Sequence, residues 1–90
     1  MIHADIRLYG RVQGVGFRFF TTRKAEIYQI KGWVKNMPDG SVKCEAEGEK
    51  SNVEAFIKEL KKGPRSGNVG EVSVDKNSDL QNYSSFEVRY

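Results

Sequence analysis

Ninety residues, 38% hydrophobic and 30% charged, suffice for one core and are too few for two, so a single domain spanning residues 1–90 is expected. The lone cysteine, Cys44, excludes an internal disulfide and any multi-cysteine metal site. A formal charge of +3 favours anionic ligands, but the basic residues are scattered from Arg7 to Arg89 and form no polybasic tail.

Along the chain, residues 2–9 place Ile2, Ala4, Ile6 and Leu8 on one side and His3, Asp5, Arg7 and Tyr9 on the other. This period of two predicts a half-buried strand in place of a signal-peptide apolar run, and with it a soluble, cytoplasmic protein. His3 reads as an exposed strand residue. From Phe17 the period lengthens, and Phe17, Phe20, Thr21, Ala25 and Tyr28 share one face of a helix over about residues 17–28. A short strand from Gly32 to Asn36, the turn Met37-Pro38-Asp39-Gly40 and a strand from Ser41 to Glu47 predict a hairpin. There Cys44 alternates with Val42 and Ala46 as a small core residue.

Ser51, with Glu54 three residues on, reads as a capping box. It opens a second helix whose stripe is Val53, Phe56, Ile57 and Leu60, and Gly63-Pro64 supplies the stop. Val72 and Val74 suggest a fourth strand, Lys76 to Asn82 a polar loop, and Phe86, Val88 and Tyr90 a terminal strand. The order β-α-β-β-α-β-β, with strands polar on one face and two helices for the other, predicts an α+β two-layer sandwich of ferredoxin-like type.

The segment richest in chemistry runs from Gly10 to Arg18, a glycine-spaced loop leaving a strand and entering a helix. Such a loop can turn successive N–H groups inward at the positive end of the helix, a cradle for an anion. Arg18 can fold its planar fork back over the same point. A nucleotide P-loop is excluded because no Gly-Lys-Ser/Thr triplet occurs, and a dinucleotide loop because Phe19 stands where the third glycine belongs. A turn that simply needs flexible residues fits the same glycines, so that reading stays open. Asn36, ending its strand before the turn, can orient a water, though asparagine beside Pro-Asp-Gly is also a common turn former.

One histidine and one core-facing cysteine leave no nucleophilic dyad and no metal cluster in the sequence. A cradle, an arginine and an asparagine position and stabilise charge but do not protonate a leaving group. A substrate suited to them departs unaided. A carboxylate, titrating at roughly pH 4, does so from phosphorus, whereas an alkoxide needs an acid.

At these residues the chain resembles the acylphosphatase family over essentially all 90 positions. Gly10 to Arg18 matches G-x-V-Q-G-V-x-F-R. Gly32-Trp33-Val34-Lys35-Asn36, with Gly40, Val42 and Gly48, matches G-[FYW]-[AVC]-x-N-x-x-x-G-x-V-x-x-x-x-x-G. The resemblance implies hydrolysis of the carboxyl-phosphate bond without metal or cofactor. The loop of Gln13, Gly14, Val15, Gly16, Phe17 and Arg18 would cradle phosphate, Arg18 would bind it, and Asn36 would orient the attacking water, a phosphate oxygen helping to take its proton. It further implies a five-stranded sheet ordered fourth, first, third, second, fifth, with both helices on one face. The expected partners are a small acyl phosphate and inorganic phosphate, as product and competitor, for a monomer that binds neither nucleic acid nor membrane. Gln29 departs from the pattern where relatives often have glycine at a helix end, and Lys24 where they are often apolar.

Two other classes share this architecture. An RNA-binding module would carry its aromatic signature on a central strand, whereas Gly16-Phe17-Arg18-Phe19-Phe20 enters a helix. An acylphosphatase-like domain that binds without turnover belongs to a larger polypeptide, and a free-standing chain of this length is expected to be the hydrolase itself.

Overall fold

The protein, described here over residues 1–90 by a computed structural model, runs β1 (Ile2–Arg11), α1 (Phe17–Ile27), β2 (Lys31–Asn36), β3 (Val42–Gly48), α2 (Lys50–Lys62), β4 (Asn68–Asn77) and β5 (Phe86–Arg89). The five strands form one sheet in the order β4-β1-β3-β2-β5, as the resemblance implied. All pairings are antiparallel except β2 with β5.

The apolar positions of the central strands explain the layering. Ala4, Ile6 and Leu8 stand opposite Ala46, Cys44 and Val42 in register, and all six side chains are fully buried with Val34 beneath the helices. Onto them α1 lays Phe17 and Ala25, and α2 its expected stripe of Val53, Phe56, Ile57 and Leu60. Cys44 is a core residue as read, and burial pushes its thiol pKa up, away from reactivity. No helix is long and apolar enough to cross a membrane.

Two local expectations need correction. The helix begins at Lys50 with Glu49 in the cap position, and no side chain caps it. Ser51 therefore sits inside the first turn, and the box with Glu54 does not form, because burying Val53 draws the helix start back and Val53 N–H bonds Glu49 C=O. The strand β4 takes in Lys76 and Asn77, which pair with Ala4 and His3; at a sheet edge, polar residues obscure the alternation that marks a strand. The helix α1 does end near Tyr28, followed by Gln29 at φ 56°. A non-glycine residue held there costs about 1 kcal/mol.

His3 is the larger correction. It lies on the predicted face but is only 5% exposed, because the segment after β4 folds across the side of the sheet that carries no helix. Its Nδ1 lies 2.7 Å from Glu47 Oε2 and its Nε2 3.3 Å from Glu45 Oε1. Glu47, 3% exposed, also accepts the main-chain N–H groups of Gln81, Asn82 and Tyr83. The Tyr83 hydroxyl donates to Glu45 at 2.7 Å and accepts from Trp33 Nε1 at 3.1 Å. Burial alone would raise the Glu47 pKa, but the Gln81 N–H, the His3 ring and the Tyr83 N–H outweigh it and hold the carboxyl below its ordinary value of 4.5.

A carboxyl so depressed adds stability above its unfolded value, and that contribution vanishes as pH falls through the folded one. Glu47→Gln should lower neutral-pH stability by about 1–3 kcal/mol and flatten the acid-side loss. Urea midpoints measured from neutral pH to about pH 3 would run parallel for parent and variant if this carboxylate did not hold the segment.

Candidate active site

Three segments meet at one end of the sheet. The loop from Val12 to Gly16 connects β1 to α1, Asn36 closes β2, and Val88 and Tyr90 arrive along β5; all contribute to one cleft of about 410 Å3. Gly14 and Gly16 hold φ at 74° and 75°, with nothing within 4 Å of where a Cβ would stand. Backbone conformation, not crowding, is thus what calls for glycine at both. Positive φ on either side of Val15 swings successive N–H groups toward one point, ahead of the α1 N-terminus, whose first turn holds no acidic residue. From Gln13 to Phe19 no main-chain N–H is used by another group of the protein; the first hydrogen bond beyond them is Phe20 N–H to Gly16 C=O at 3.0 Å.

Arg18 stands in that first turn, half-buried, and pairs with no carboxylate of the chain. Its guanidinium lies 4.8 Å from the centre of the Tyr90 ring, so the planar fork is steadied by stacking while its donors stay free. One turn on, Thr22 bonds the Arg18 carbonyl at 2.9 Å and lines the same cleft.

Asn36 is half-buried and faces Arg18 across the cleft. Had it served the turn, its carboxamide would bond to the turn backbone. Other groups do that work: Asp39 Oδ1 accepts from Ser41 N–H at 2.9 Å and from the Ser41 hydroxyl, and Met37 N–H reaches Ser41 C=O at 2.8 Å. The hydrogen bond from Ser41 holds the Asp39 carboxyl below the usual range. The Asn36 side chain makes no hydrogen bond within the protein and is left to the cleft.

Of the expected cradle residues, the structure brings Gly14, Gly16, Phe17 and Arg18 to the cleft with Asn36. The Phe17 ring is a core residue, leaving its N–H for the loop. Val15 turns its side chain to a neighbouring surface with Phe20 and Pro64. Gln13 keeps its main-chain N–H for the loop while its side chain is spent elsewhere: the amide donates to Met37 C=O at 2.8 Å and Ser41 C=O at 2.9 Å. It ties the loop to the turn beside Asn36, a positioning role that needs the two hydrogen-bond partners, far away in sequence, to be recognised. Phe19 is 67% exposed at the cleft rim. No group of three or more His, Cys, Asp or Glu side chains is arranged to hold a metal ion.

Unspent N–H groups, a guanidinium and a free carboxamide around one small cleft, on a two-layer α+β sandwich, define a protein that handles a small phosphorylated molecule. The acylphosphatase family model matches residues 4–88. An acylphosphatase from Archaeoglobus fulgidus is 48% identical over 90 residues, covering all of both chains. The crystal structure of acylphosphatase from Bacillus subtilis is 37% identical and superimposes with a TM-score of 0.98 over all of both chains. Full-length HypF, in its phosphate- and nucleotide-bound form, matches all of this chain along 12% of its own length, at 36% identity and a TM-score of 0.88. The chain belongs to the acylphosphatase family and is a hydrolase of that family.

If Gln13 holds loop and turn in step, Gln13→Ala should lower kcat/KM for an acyl phosphate by about ten- to a hundredfold, the scale of a small misplacement of reacting groups. Thermal denaturation should show the fold retained. Unchanged kinetics in a folded variant would mean the loop keeps its place without the amide.

Proposed function

We propose that this cleft hydrolyses the carboxyl-phosphate bond of acyl phosphates by direct attack of water on phosphorus. Supporting this is the convergence of the free main-chain donors, Arg18 and the uncommitted Asn36 carboxamide on one cleft. The phosphate occupies the cradle of residues 13–18, its oxygens taken by N–H groups and by the Arg18 fork. Asn36 accepts from the attacking water and orients it, its neutral amide adding little to phosphate affinity. The water oxygen bonds to phosphorus as the bridging P–O bond breaks, and the electron pair leaves on the carboxylate. A phosphate oxygen receives the water's proton. The products are a carboxylate and inorganic phosphate, which competes for the same cradle. Since the only ionisable side chains lining the cleft are Arg18 and Tyr90, the leaving group departs without a general acid, which suits a carboxylate and not an alkoxide.

On the same reading the protein works as a single domain, monomeric and cytoplasmic. It takes no nucleic acid, since on the helix-free face of its sheet His3, Glu45 and Glu47 lie beneath the connection through Gln81, Asn82 and Tyr83 and Trp33 is buried, leaving no platform of exposed stacking aromatics there. Benzoyl phosphate should be hydrolysed in excess chelator, while alkyl phosphate monoesters turn over far more slowly. Strict metal dependence, or the reverse preference, would refute the leaving-group argument.

Two substitutions separate binding from turnover. Arg18→Ala removes a charge-assisted clamp worth roughly 1.5–3 kcal/mol and should weaken inhibition by inorganic phosphate together with turnover. Arg18→Lys should restore only part of both, because a point charge does not replace a planar fork. Asn36→Ala should lose about a hundred- to a thousandfold in kcat yet still be inhibited by phosphate. Near-parental turnover in folded Asn36→Ala would reassign the water-positioning role.

A further inference from the structure

Two of the protein's large exposed apolar side chains stand at the rim of this one cleft. Phe19 is 67% exposed and Tyr90 91% exposed, whereas neighbouring Phe17 is 2% exposed. Phe17 packs against Phe20 at 5.8 Å between ring centres, so the inward face of α1 is complete without Phe19. Leaving an aromatic ring in water forgoes the gain of burying it, and aromatic rings gathered at a ligand cleft mark a surface that a ligand covers. The lining is divided. Gly14, Gly16, Arg18 and Asn36 supply donors and polar groups, and Phe19, Val88 and Tyr90 supply apolar wall.

We propose that Phe19 and Tyr90 form an aromatic subsite for the acyl group, so that the protein selects acyl phosphates whose acyl part is planar and apolar over those of short aliphatic acids. The inference rests on the cradle and Arg18 as the phosphate site. In an acyl phosphate one bridging oxygen separates phosphorus from the acyl carbon, so a phosphate held by Arg18 leaves the acyl group beside whatever flanks that guanidinium. Tyr90 flanks it at 4.8 Å, and Phe19, next to Arg18 in the chain, lines the same cleft. An aryl group there can meet both rings offset or edge-on, while a methyl group touches little of either.

The test compares kcat/KM for benzoyl and acetyl phosphate, which release carboxylates of similar leaving ability. It also compares inhibition by benzylphosphonate and by inorganic phosphate, in the parent, Phe19→Ala and Tyr90→Ala. Both residues are exposed, and circular dichroism checks that the variants fold. The parent should favour the aryl member of each pair by about tenfold, the scale of a good aromatic contact, and each variant should lose most of that preference. A parent indifferent to the aryl group, or a preference that persists in either variant, overturns the subsite while the phosphate reading stands. A parent that neither hydrolyses acyl phosphates nor is inhibited by phosphate overturns both.

Discussion

The antiparallel pairing of β1 with β3 is the constraint on which the site depends. Its register sets Leu8 opposite Val42, and the next ladder sets Val42 opposite Asn36. These three residues therefore lie in one row across three strands, with about 4.8 Å between neighbours. The chain leaves β1 just past that row and turns through Gly14 and Gly16 into α1. The loop and Asn36 are thus brought to the same end of the sheet by main-chain hydrogen bonds before any side chain of the cleft is considered. A slip of one residue in β3 would turn Val42, Cys44 and Ala46 out of the core. The core that secures the fold secures the geometry of the cleft by the same pairing.

The opposite face completes the cleft from a distance. β4 and β5 lie at opposite edges of the sheet, so the connection between them must cross it, and it does so over the helix-free face, fastened to Glu47 by the N–H groups of Gln81, Asn82 and Tyr83. Beyond that anchor, Ser85 C=O accepts from Gly32 N–H at 2.9 Å, and β5 then runs beside β2 from Gly32 to Lys35. Val88 and Tyr90 reach the cleft because of this path. A buried cluster of His3 and two carboxylates is weak evidence for added stability, since its desolvation offsets much of the attraction. Its contribution here is to specify one course for the connection and so one place for Tyr90.

How much of this could be read beforehand depended on whether a residue's role is local. The loop from Gly10 to Arg18, the turn at Pro38-Asp39-Gly40 and the stripe of α2 announce themselves through spacing, and the observed elements follow them. Asn36 could be placed at the end of its strand but not told from a turn former, because the decision lies with Asp39 and Gln13, which hold the turn in its stead. His3 was assigned to the correct face. Alternation reports which side of a strand a residue occupies and is silent on whether a distant segment covers that side. Phe19 shows a related limit: spacing sets it off the face shared by Phe17 and Phe20 but does not say that it borders the cleft.

The ionisable groups themselves divide between fold and chemistry. Perturbed pKa values commonly gather where catalysis occurs, yet Asp39, Cys44, Glu47, Glu59 and Tyr83, the side chains clearly shifted here, all lie outside the cleft lining. Each has a structural cause: Cys44 is buried in the core, Asp39 holds the turn, Glu59 meets Lys24 of α1 and its own Lys62, and Glu47 and Tyr83 fasten the connection to β5. The cleft instead relies on groups whose charge is constant across the physiological range, namely peptide dipoles, a guanidinium and an amide. Such a site can hold an anion and align a water, but it cannot donate a proton on demand. The chemistry accessible to it is therefore limited by the substrate's leaving group, and the mixed anhydride of a carboxylic acid with phosphate meets that limit.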